Sequence, residues 1–228
     1  MLHRFLRKSN YEKILYLNHL KKRDIVFDLG ANKGYFTKLF CNIVGISGEV
    51  HAFEPVRDTY LENIKGFRGK LPANLKLHNL AVGDRNMNIE IIIPAGDNGQ
   101  ASLRLHRTGS WQLGQFEKAS CKMICLEQYI QKNQISRIDF IKCDIEGAEL
   151  LALQGMNRSL KKHKPKLLLE VNEEWTEAFE YTSNDLINFL KEVGYKSFFK
   201  VDESPIFLSE QELKNLSQFD DGVNIFCM

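Results

Sequence analysis

The segment IVFDLGANKG, at residues 25–34, constrains the fold of this chain more than any other. A short, mostly apolar run leads into a turn that contains Gly30 and Gly34, and a segment with the apolar periodicity of a helix follows. Glycine has no Cβ, so the backbone of such a turn can come close to a ligand. A buried strand, a glycine turn and a helix are typical of the first unit of a ligand-binding α/β fold.

The alternation of strand and helix continues after this unit. EVHAFEP predicts a second strand that ends at Pro55, VRDTYLENIKGF predicts a second helix, and LKLHNLAV predicts a third strand. Further along, IDFIKCD and KLLLEVN predict a fourth and a fifth core strand, and YKSFFKV and GVNIFCM predict two more. Strands separated by helices pair in parallel through right-handed crossovers. The sequence therefore predicts an α/β fold with a mostly parallel sheet.

An insertion interrupts this alternation. MNIEIIIP predicts an added strand, and residues 94–120 are rich in glycine, serine and polar residues, which predicts a long loop. Long loops inside compact domains often serve as lids or binding loops. His106 and Trp111 lie in this loop, where they either line a pocket for a substrate or only anchor the loop by packing.

Length and periodicity predict the domain organisation. Apolar residues recur at spacings of three and four within residues 1–23, which predicts a helical extension there. The remainder, residues 24–228, has the length of one α/β domain that carries the loop insertion at about 94–120.

The composition argues against several classes of protein. A net charge of +2 is too small to indicate nucleic-acid binding, so we expect no nucleic-acid partner. No apolar run approaches the roughly 18 residues that a membrane helix needs. The five cysteines contain no Cys-x-x-Cys pair, which favours reduced thiols over a disulfide framework or a zinc site. We therefore expect a soluble, cytoplasmic protein.

The polar residues of the glycine turn predict its ligand. The pattern is Asp28-x-Gly30-x-Asn32-x-Gly34, and an aspartate at the first position would repel a pyrophosphate but suits an ammonium group. Glu54 ends the second strand, where a carboxylate can accept hydrogen bonds from both hydroxyls of a ribose. A ligand with a ribose, a positive amine and no phosphate is S-adenosylmethionine.

Four segments together resemble the successive motifs of the FkbM family of class I S-adenosylmethionine-dependent methyltransferases. They are VFDLGANKGYFT, VHAFEP, LAVGD and IDFIKCDIEGAELLALQG, of which DIEGAE is the most specific. The resemblance covers about residues 24–172. It implies a Rossmann-like fold with a seven-stranded, mostly parallel sheet, an antiparallel C-terminal strand and helices on both faces.

The resemblance also implies where the cofactor binds. Its amino-acid end would lie against the glycine turn at residues 28–34. Glu54 would hold the ribose. The backbone at Ala81 and Val82 would border the adenine.

Candidate catalytic residues come directly after the fourth and fifth strands or interrupt them, at the edge where α/β folds bind ligands. Methyl transfer is an in-line displacement, so orientation matters, and a base that takes the proton of a hydroxyl acceptor adds roughly 10²–10⁴-fold in rate. The candidates are Lys142, Asp144, Glu146 and Glu170.

Each candidate also has a structural interpretation. Asp144 either contacts cofactor or acceptor, with a role as base, or caps the following helix. Glu146 either takes part in catalysis or only stabilises the positive end of that helix. Lys142 either pairs with Glu170 or is a base with a lowered pKa. Asp144 and Glu170, with Asn172, could also hold a divalent cation, an alternative that we do not favour because such oxygen sets often arise by chance.

Two other functions remain open. An oxidoreductase that uses NAD would share the strand, turn, helix and ribose-binding acid, but Asp28 and the missing middle glycine oppose it. A non-catalytic module could keep the fold and bind the cofactor without turnover. An amine-directed nucleic-acid methyltransferase would usually carry an Asn/Asp-Pro-Pro-aromatic tetrad where this chain has DIEG. We therefore expect O-methylation of a hydroxyl on a small molecule, such as a sugar or another secondary metabolite.

Overall fold

The fold is described by a computed structural model, which covers residues 2–201, 205–216 and 222–228, with side chains from residue 10 onward in those ranges. The strands are β1 (Ile25–Leu29), β2 (Glu49–Phe53), β3 (Leu75–His78), β4 (Ala81–Gly83), β5 (Met87–Pro94), β6 (Phe116–Cys125), β7 (Phe140–Cys143), β8 (Lys166–Val171), β9 (Phe198–Lys200), β10 (Ile206–Phe207) and β11 (Val223–Cys227). The helices are α1 (Leu2–His19), α2 (Tyr35–Val44), α3 (Arg57–Gly66), α4 (Leu126–Lys132), α5 (Glu149–Gln154), α6 (Asn157–His163), α7 (Glu173–Ala178), α8 (Ser183–Val193) and α9 (Glu210–Lys214).

Within these ranges the main sheet has eight strands, in the order β10-β9-β11-β8-β7-β1-β2-β3. Strands β8, β7, β1, β2 and β3 pair in parallel, and β11 runs antiparallel to both of its neighbours. The predicted Rossmann-like sheet with an antiparallel C-terminal strand is confirmed. The eighth strand, β10, has only two residues and extends the edge beyond β9.

Apolar side chains alternate between the two faces of the sheet, as strand geometry requires. Phe140 of β7 packs on one face with Tyr16 of α1 and Phe40 of α2. Ile141, the next residue, packs on the opposite face with side chains of α4, α5, α6 and α8. The predicted helices on both faces are therefore present, and α1 contributes buried side chains to the core.

A second sheet of three strands, in the order β4-β6-β5, changes two predictions. The segment LKLHNLAV forms two short strands, β3 and β4, that belong to different sheets rather than one strand. The loop predicted at 94–120 is too long, because residues 116–120 pair with β5 as part of β6. What remains between β5 and β6 contains two short 3₁₀ turns, at Asn98–Gln100 and Gly109–Leu113. No helix in the described ranges is both long enough and apolar enough to cross a bilayer.

Candidate active site

The glycine turn after β1 is pressed against protein atoms. Gly30 has a φ of +81°, and a Cβ built there would lie 1.9 Å from the carbonyl oxygen of Asp144 in the turn after β7. Gly34 has a φ of +82°, and its Cβ would lie 2.2 Å from Asn63 Oδ1 on α3. Only glycine fits such positions, because L side chains rarely adopt this conformation and no space exists for a Cβ. Gly30 therefore brings the ends of β1 and β7 together, and Gly34 brings the turn against α3.

Asn32 and Glu54 fix the shape of this turn. Asn32 has a left-handed backbone with a φ of +48°. Its N–H donates to Glu54 Oε2 at 2.8 Å, and its carbonyl accepts from Asn63 Nδ2 at 3.1 Å. Glu54 Oε1 accepts from the N–H of Val56 at 2.9 Å. Burial raises the pKa of Glu54 to about 7, although the two backbone donors lower it in part.

Asp28 is buried below the glycine turn, with 1% of its surface exposed. Its Oδ2 accepts a hydrogen bond of 2.6 Å from the hydroxyl of Thr37. Its Oδ1 has no hydrogen-bond donor among the described residues. Burial raises the pKa of Asp28, and the nearby Lys142 opposes that rise. One oxygen of this acid is thus fixed and the other is available to a donor.

Lys142 lies inside β7, where its ion-pair partners are Asp144 and Asp28 rather than the predicted Glu170. Its Nζ is 3.0 Å from Asp144 Oδ2 and 3.9 Å from Asp28 Oδ1. Burial lowers the pKa of Lys142, but these carboxylates raise it more, so its pKa lies above the usual value. The predicted pairing with Glu170 and the predicted lowered pKa are both wrong, because Lys142 pairs with Asp144 and, through the pairing of β1 with β7, is also close to Asp28.

Three acids converge beyond the ends of β7 and β8. Carboxylate oxygens of Asp144, Glu146 and Glu170 lie within 4.8 Å of one another. Glu146 has a left-handed backbone with a φ of +56°, which is uncommon for a residue with a side chain. Its Oε2 is buried and accepts no hydrogen bond from the part of the chain that the structure describes. Burial, followed by Glu170 and Asp144, raises the pKa of Glu146 well above its usual value.

One structural interpretation of these acids is wrong. Helix α5 begins at Glu149 with Ala148 as its N-cap residue, so Asp144 does not cap it. The amide oxygen of Asn172 caps α7 by accepting from the N–H of Glu174 at 3.1 Å. The acids that form a cluster are therefore Asp144, Glu146 and Glu170.

A lid covers these acids. We use this name for residues 95–115, which connect β5 to β6. Ser102 Oγ donates to the carbonyl oxygen of Glu146 at 2.8 Å, and His106 Nε2 donates to the same oxygen at 3.2 Å. Near the start of the lid, a Cβ at Gly99 would lie 3.0 Å from Asn32 Nδ2, so the lid also reaches the glycine turn.

The outer part of the lid rests on α7. Arg107 forms ion pairs with Glu174 at 3.5 Å and with Glu177 at 3.1 Å. The hydroxyl of Thr108 donates to Glu174 at 2.9 Å. The ring of His106 packs between aromatic side chains of the lid and of the segment around α7. They are Trp111, Trp175 and Phe179.

Sequence reasoning missed several residues of the site. Asn63, Ser102 and Glu174 each shape it through contacts with residues that are distant in the chain. No motif marked them. Ala81 and Val82 lie in β4 and are buried, and it is Asn79 that ties this region to the second strand, because its Nδ2 donates to the carbonyl oxygen of Glu54 at 2.9 Å.

The donor and acceptor set fits S-adenosylmethionine. Asp28 Oδ1 and the acids after β7 offer negative charge to an ammonium and a sulfonium group. Each oxygen of Glu54 accepts one backbone N–H and keeps a second lone pair for a ribose hydroxyl. Asp28 lies near the carboxyl end of β1, and Glu54 directly follows β2. The carboxyl ends of parallel strands are where α/β folds bind ligands.

Solved structures share this architecture. The methyltransferase FkbM from Methylobacillus flagellatus KT superposes with a TM-score of 0.55 at 17% identity, over 91% of this chain, and this chain spans only 44% of that protein. A putative rRNA-methylase from Clostridium thermocellum superposes with a TM-score of 0.55 at 11% identity, over 97% of this chain and 94% of that one. At such identities the likeness establishes the fold alone. No curated protein is significantly similar in sequence.

The family follows from a direct match of the sequence. The model of the methyltransferase FkbM domain matches residues 28–197, which include the glycine turn, Glu54 and the acids after β7 and β8. This match extends over most of the chain and ends beyond α8. The protein belongs to the FkbM family of methyltransferases.

Proposed function

We propose that this protein transfers a methyl group from S-adenosylmethionine to a hydroxyl oxygen of a small molecule, such as a sugar or another secondary metabolite. The observation that carries the proposal is the unpartnered carboxylate oxygen of Glu146, next to the acids that fit the cofactor. A base and a cofactor cradle then lie at one edge of one sheet.

Glu146 is the base in this proposal. When bound, S-adenosylmethionine supplies an electrophilic methyl group on a sulfonium sulfur. Glu146 Oε2 takes the proton of the acceptor hydroxyl as the new carbon–oxygen bond forms and the sulfur–carbon bond breaks. A carboxylate whose pKa is raised by burial and neighbouring acids is a stronger base than one in water. Lys142, with its raised pKa, stays protonated and does not serve as the base.

The lid supplies the second requirement, which is exclusion of water from the reacting atoms. Ser102 and His106 hold the lid to the backbone of Glu146 itself. Closure over the site strengthens the electrostatic interactions inside it, because the effective dielectric constant falls. The same contacts would orient an acceptor between the lid and the acids, and orientation of this kind lowers the barrier by roughly 7–11 kcal/mol in well-placed systems.

Binding and turnover test the proposal separately. Calorimetry with S-adenosylhomocysteine and with NAD measures which cofactor binds, and binding of NAD alone would reject the methyltransferase assignment. Turnover is measured as release of S-adenosylhomocysteine in the presence of a panel of sugars, other hydroxyl-bearing metabolites and ribosomal RNA. We expect mass spectrometry and NMR to place one added methyl group on an oxygen of a small molecule. Methylation of RNA or of a nitrogen atom alone would contradict the proposed acceptor.

A further inference from the structure

Lys142 has two hydrogen-bond acceptors and a more distant ion-pair partner, in three different parts of the site. Its Nζ is 3.0 Å from Asp144 Oδ2 after β7, 3.4 Å from the carbonyl oxygen of Gly30 in the glycine turn, and 3.9 Å from Asp28 Oδ1 in β1. Asp28 and Lys142 are direct partners in the parallel register of β1 and β7. The two hydrogen bonds and the longer ion pair of this ammonium group thus reach the three segments that would surround the amino-acid end of the cofactor.

The two ends of the Lys142–Asp144 pair have different exposure. The side chain of Lys142 is 5% exposed, whereas that of Asp144 is 37% exposed. Lys142 therefore contacts Asp144 from the buried side, and the side chain of Asp144 is partly exposed. Lys142 itself is too buried to contact a ligand directly. It can only hold in place the groups that do.

A buried ammonium group is costly unless carboxylates compensate it. Acids from several neighbouring elements act on Lys142. Asp144 and Asp28 act at close range, and Glu12 of α1 adds to them. Glu54, at the end of β2, is also within electrostatic range of Lys142. Without the ammonium, Asp28 and Asp144 would repel each other and the glycine turn would lose one link to β7.

We propose that Lys142 is a positioning residue for the amino-acid end of S-adenosylmethionine, which orients Asp144 and the Gly30 carbonyl toward the α-ammonium group of the cofactor. The inference rests on the proposed function, since it concerns the same cofactor. It differs from a general structural role, in which Lys142 would only join β1 to β7. The difference is selectivity: a positioning role affects ligands that have an amino-acid end and spares those that do not.

Two ligands separate these roles. S-adenosylhomocysteine has the amino-acid end, whereas 5′-methylthioadenosine has the same adenosine and thioether without it. The affinity of each is measured by calorimetry for the full chain and for Lys142→Met. We expect the variant to bind S-adenosylhomocysteine roughly ten- to a hundred-fold more weakly, as for a lost hydrogen bond between charged groups. We expect its affinity for 5′-methylthioadenosine to change by less than about twofold.

Lys166→Met is the matched control. Lys166 lies on the neighbouring strand β8, at its opposite end, where its Nζ is 3.4 Å from His19 Nδ1. Lys166→Met removes one lysine from the same sheet. It should leave the affinities for S-adenosylhomocysteine and for 5′-methylthioadenosine unchanged.

Each outcome has one meaning. If Lys142→Met loses affinity for both ligands by the same factor, or for neither, the positioning role is overturned. If the unmodified protein binds neither ligand, the proposed function fails first. Should Lys142→Met not fold, Lys142→Gln keeps an amide donor without the charge, and we expect the same selective loss from it. Failure of both variants to fold would contradict the inference, because it assigns Lys142 to the ligand and not to the fold.

Discussion

The two walls of the candidate site are built in different ways. The cofactor wall, formed by the ends of β1 and β2, is buried and is fixed by backbone hydrogen bonds. Glu54 is 5% exposed and accepts from the N–H groups of Asn32 and Val56. The lid wall is attached to the backbone of Glu146 by Ser102 and His106, but its outer part rests on α7 through exposed side chains, and the side chain of Arg107 is 75% exposed.

This difference assigns a different task to each wall. Ion pairs between exposed side chains contribute about 0–1 kcal/mol each, so contacts such as those of Arg107 cost little to break. The backbone contacts of the cofactor wall cannot be broken without moving a strand end. We therefore infer that the cofactor wall is preformed and that the lid opens to admit the acceptor.

The largest effect should come from Gly30→Ala, which disrupts the packing of the cofactor wall. The left-handed backbone costs alanine about 1–2 kcal/mol, and the Cβ would also overlap the Asp144 carbonyl oxygen. We expect a lower melting temperature and no measurable binding of S-adenosylhomocysteine. Gly69→Ala is the control, because Gly69 has a φ of +74° but no described atom lies within 4 Å of its Cβ position. Equal effects of the two variants would show that strain alone, and not the contact between strand ends, matters.

Glu146→Gln should slow turnover by roughly 10²–10⁴-fold and leave the affinity for S-adenosylhomocysteine unchanged. The amide keeps the shape of the side chain but cannot take a proton. Turnover and calorimetry are measured on the same sample. Glu180→Gln is the matched control, since Glu180 is an exposed glutamate with a similar left-handed φ of +63°. Normal turnover in Glu146→Gln would show that Glu146 is not the base.

Glu54→Gln should weaken S-adenosylhomocysteine binding roughly tenfold at pH 8 and make binding independent of pH. The pKa of Glu54 is raised to about 7, so ionisation favours the ribose contact only above that pH. In the unmodified protein, affinity should therefore rise as the pH increases through about 7. If the unmodified protein binds S-adenosylhomocysteine with an affinity that does not depend on pH, Glu54 does not contact the ribose.

The same carboxyl makes a prediction for the protein without ligand. Its pKa in the folded state lies above the ordinary value of 4.5, so the folded protein keeps a proton that the unfolded chain releases between pH 4.5 and about 7. The free energy of unfolding should therefore fall as the pH rises through this range. Glu149, whose pKa burial raises to about 8, acts in the same direction. Glu149→Gln should reduce this fall without changing the pH profile of binding, which makes it the control for Glu54→Gln.

The cofactor wall could be predicted from sequence because its determinants are local. A strand, a glycine turn and a carboxylate at the end of the next strand follow one another within residues 24–54, and their spacing is visible in the chain. A loop at the position of the lid wall was predicted, but its contacts could not be, since they join distant residues. Thr108 and Glu174, for example, are 66 positions apart. Nothing in either segment specifies the other.

Lys142 illustrates a second limit of sequence reasoning. Its position in an apolar strand indicated burial, which was correct, and burial alone lowers the pKa of a lysine. The sign of the shift is reversed first by Asp144, two residues further along the chain, and then by Asp28, which becomes a neighbour only because β1 pairs with β7 in one register. The sign of a pKa shift thus depends on tertiary neighbours, whereas the location of a strand depends mainly on local pattern.

Arg107→Ala tests the lid wall and should have a small effect. Loss of its ion pairs should raise the KM for the acceptor a few-fold, at about 0–1 kcal/mol per pair, and leave cofactor affinity unchanged. The only two tryptophans of the chain, Trp111 and Trp175, both lie at the contact between the lid and α7, so intrinsic fluorescence reports on this contact. Arg85→Ala, which removes an exposed ion pair elsewhere, is the control. A tenfold loss of cofactor affinity in Arg107→Ala would show that the two walls are not independent.

The smallest effect should come from removal of divalent cations. The acids between the two walls could attract a cation, but the ammonium of Lys142, 3.0 Å from Asp144 Oδ2, already neutralises one of them and repels a second positive ion. We therefore propose that turnover in excess chelator stays within about twofold of that with added magnesium, since the ammonium supplies the local charge balance. Loss of turnover in chelator, restored by magnesium, would show that Asp144, Glu146 and Glu170 bind an ion that bridges the walls. The acceptor would then be oriented by the metal, and the lid would have a smaller part in positioning it.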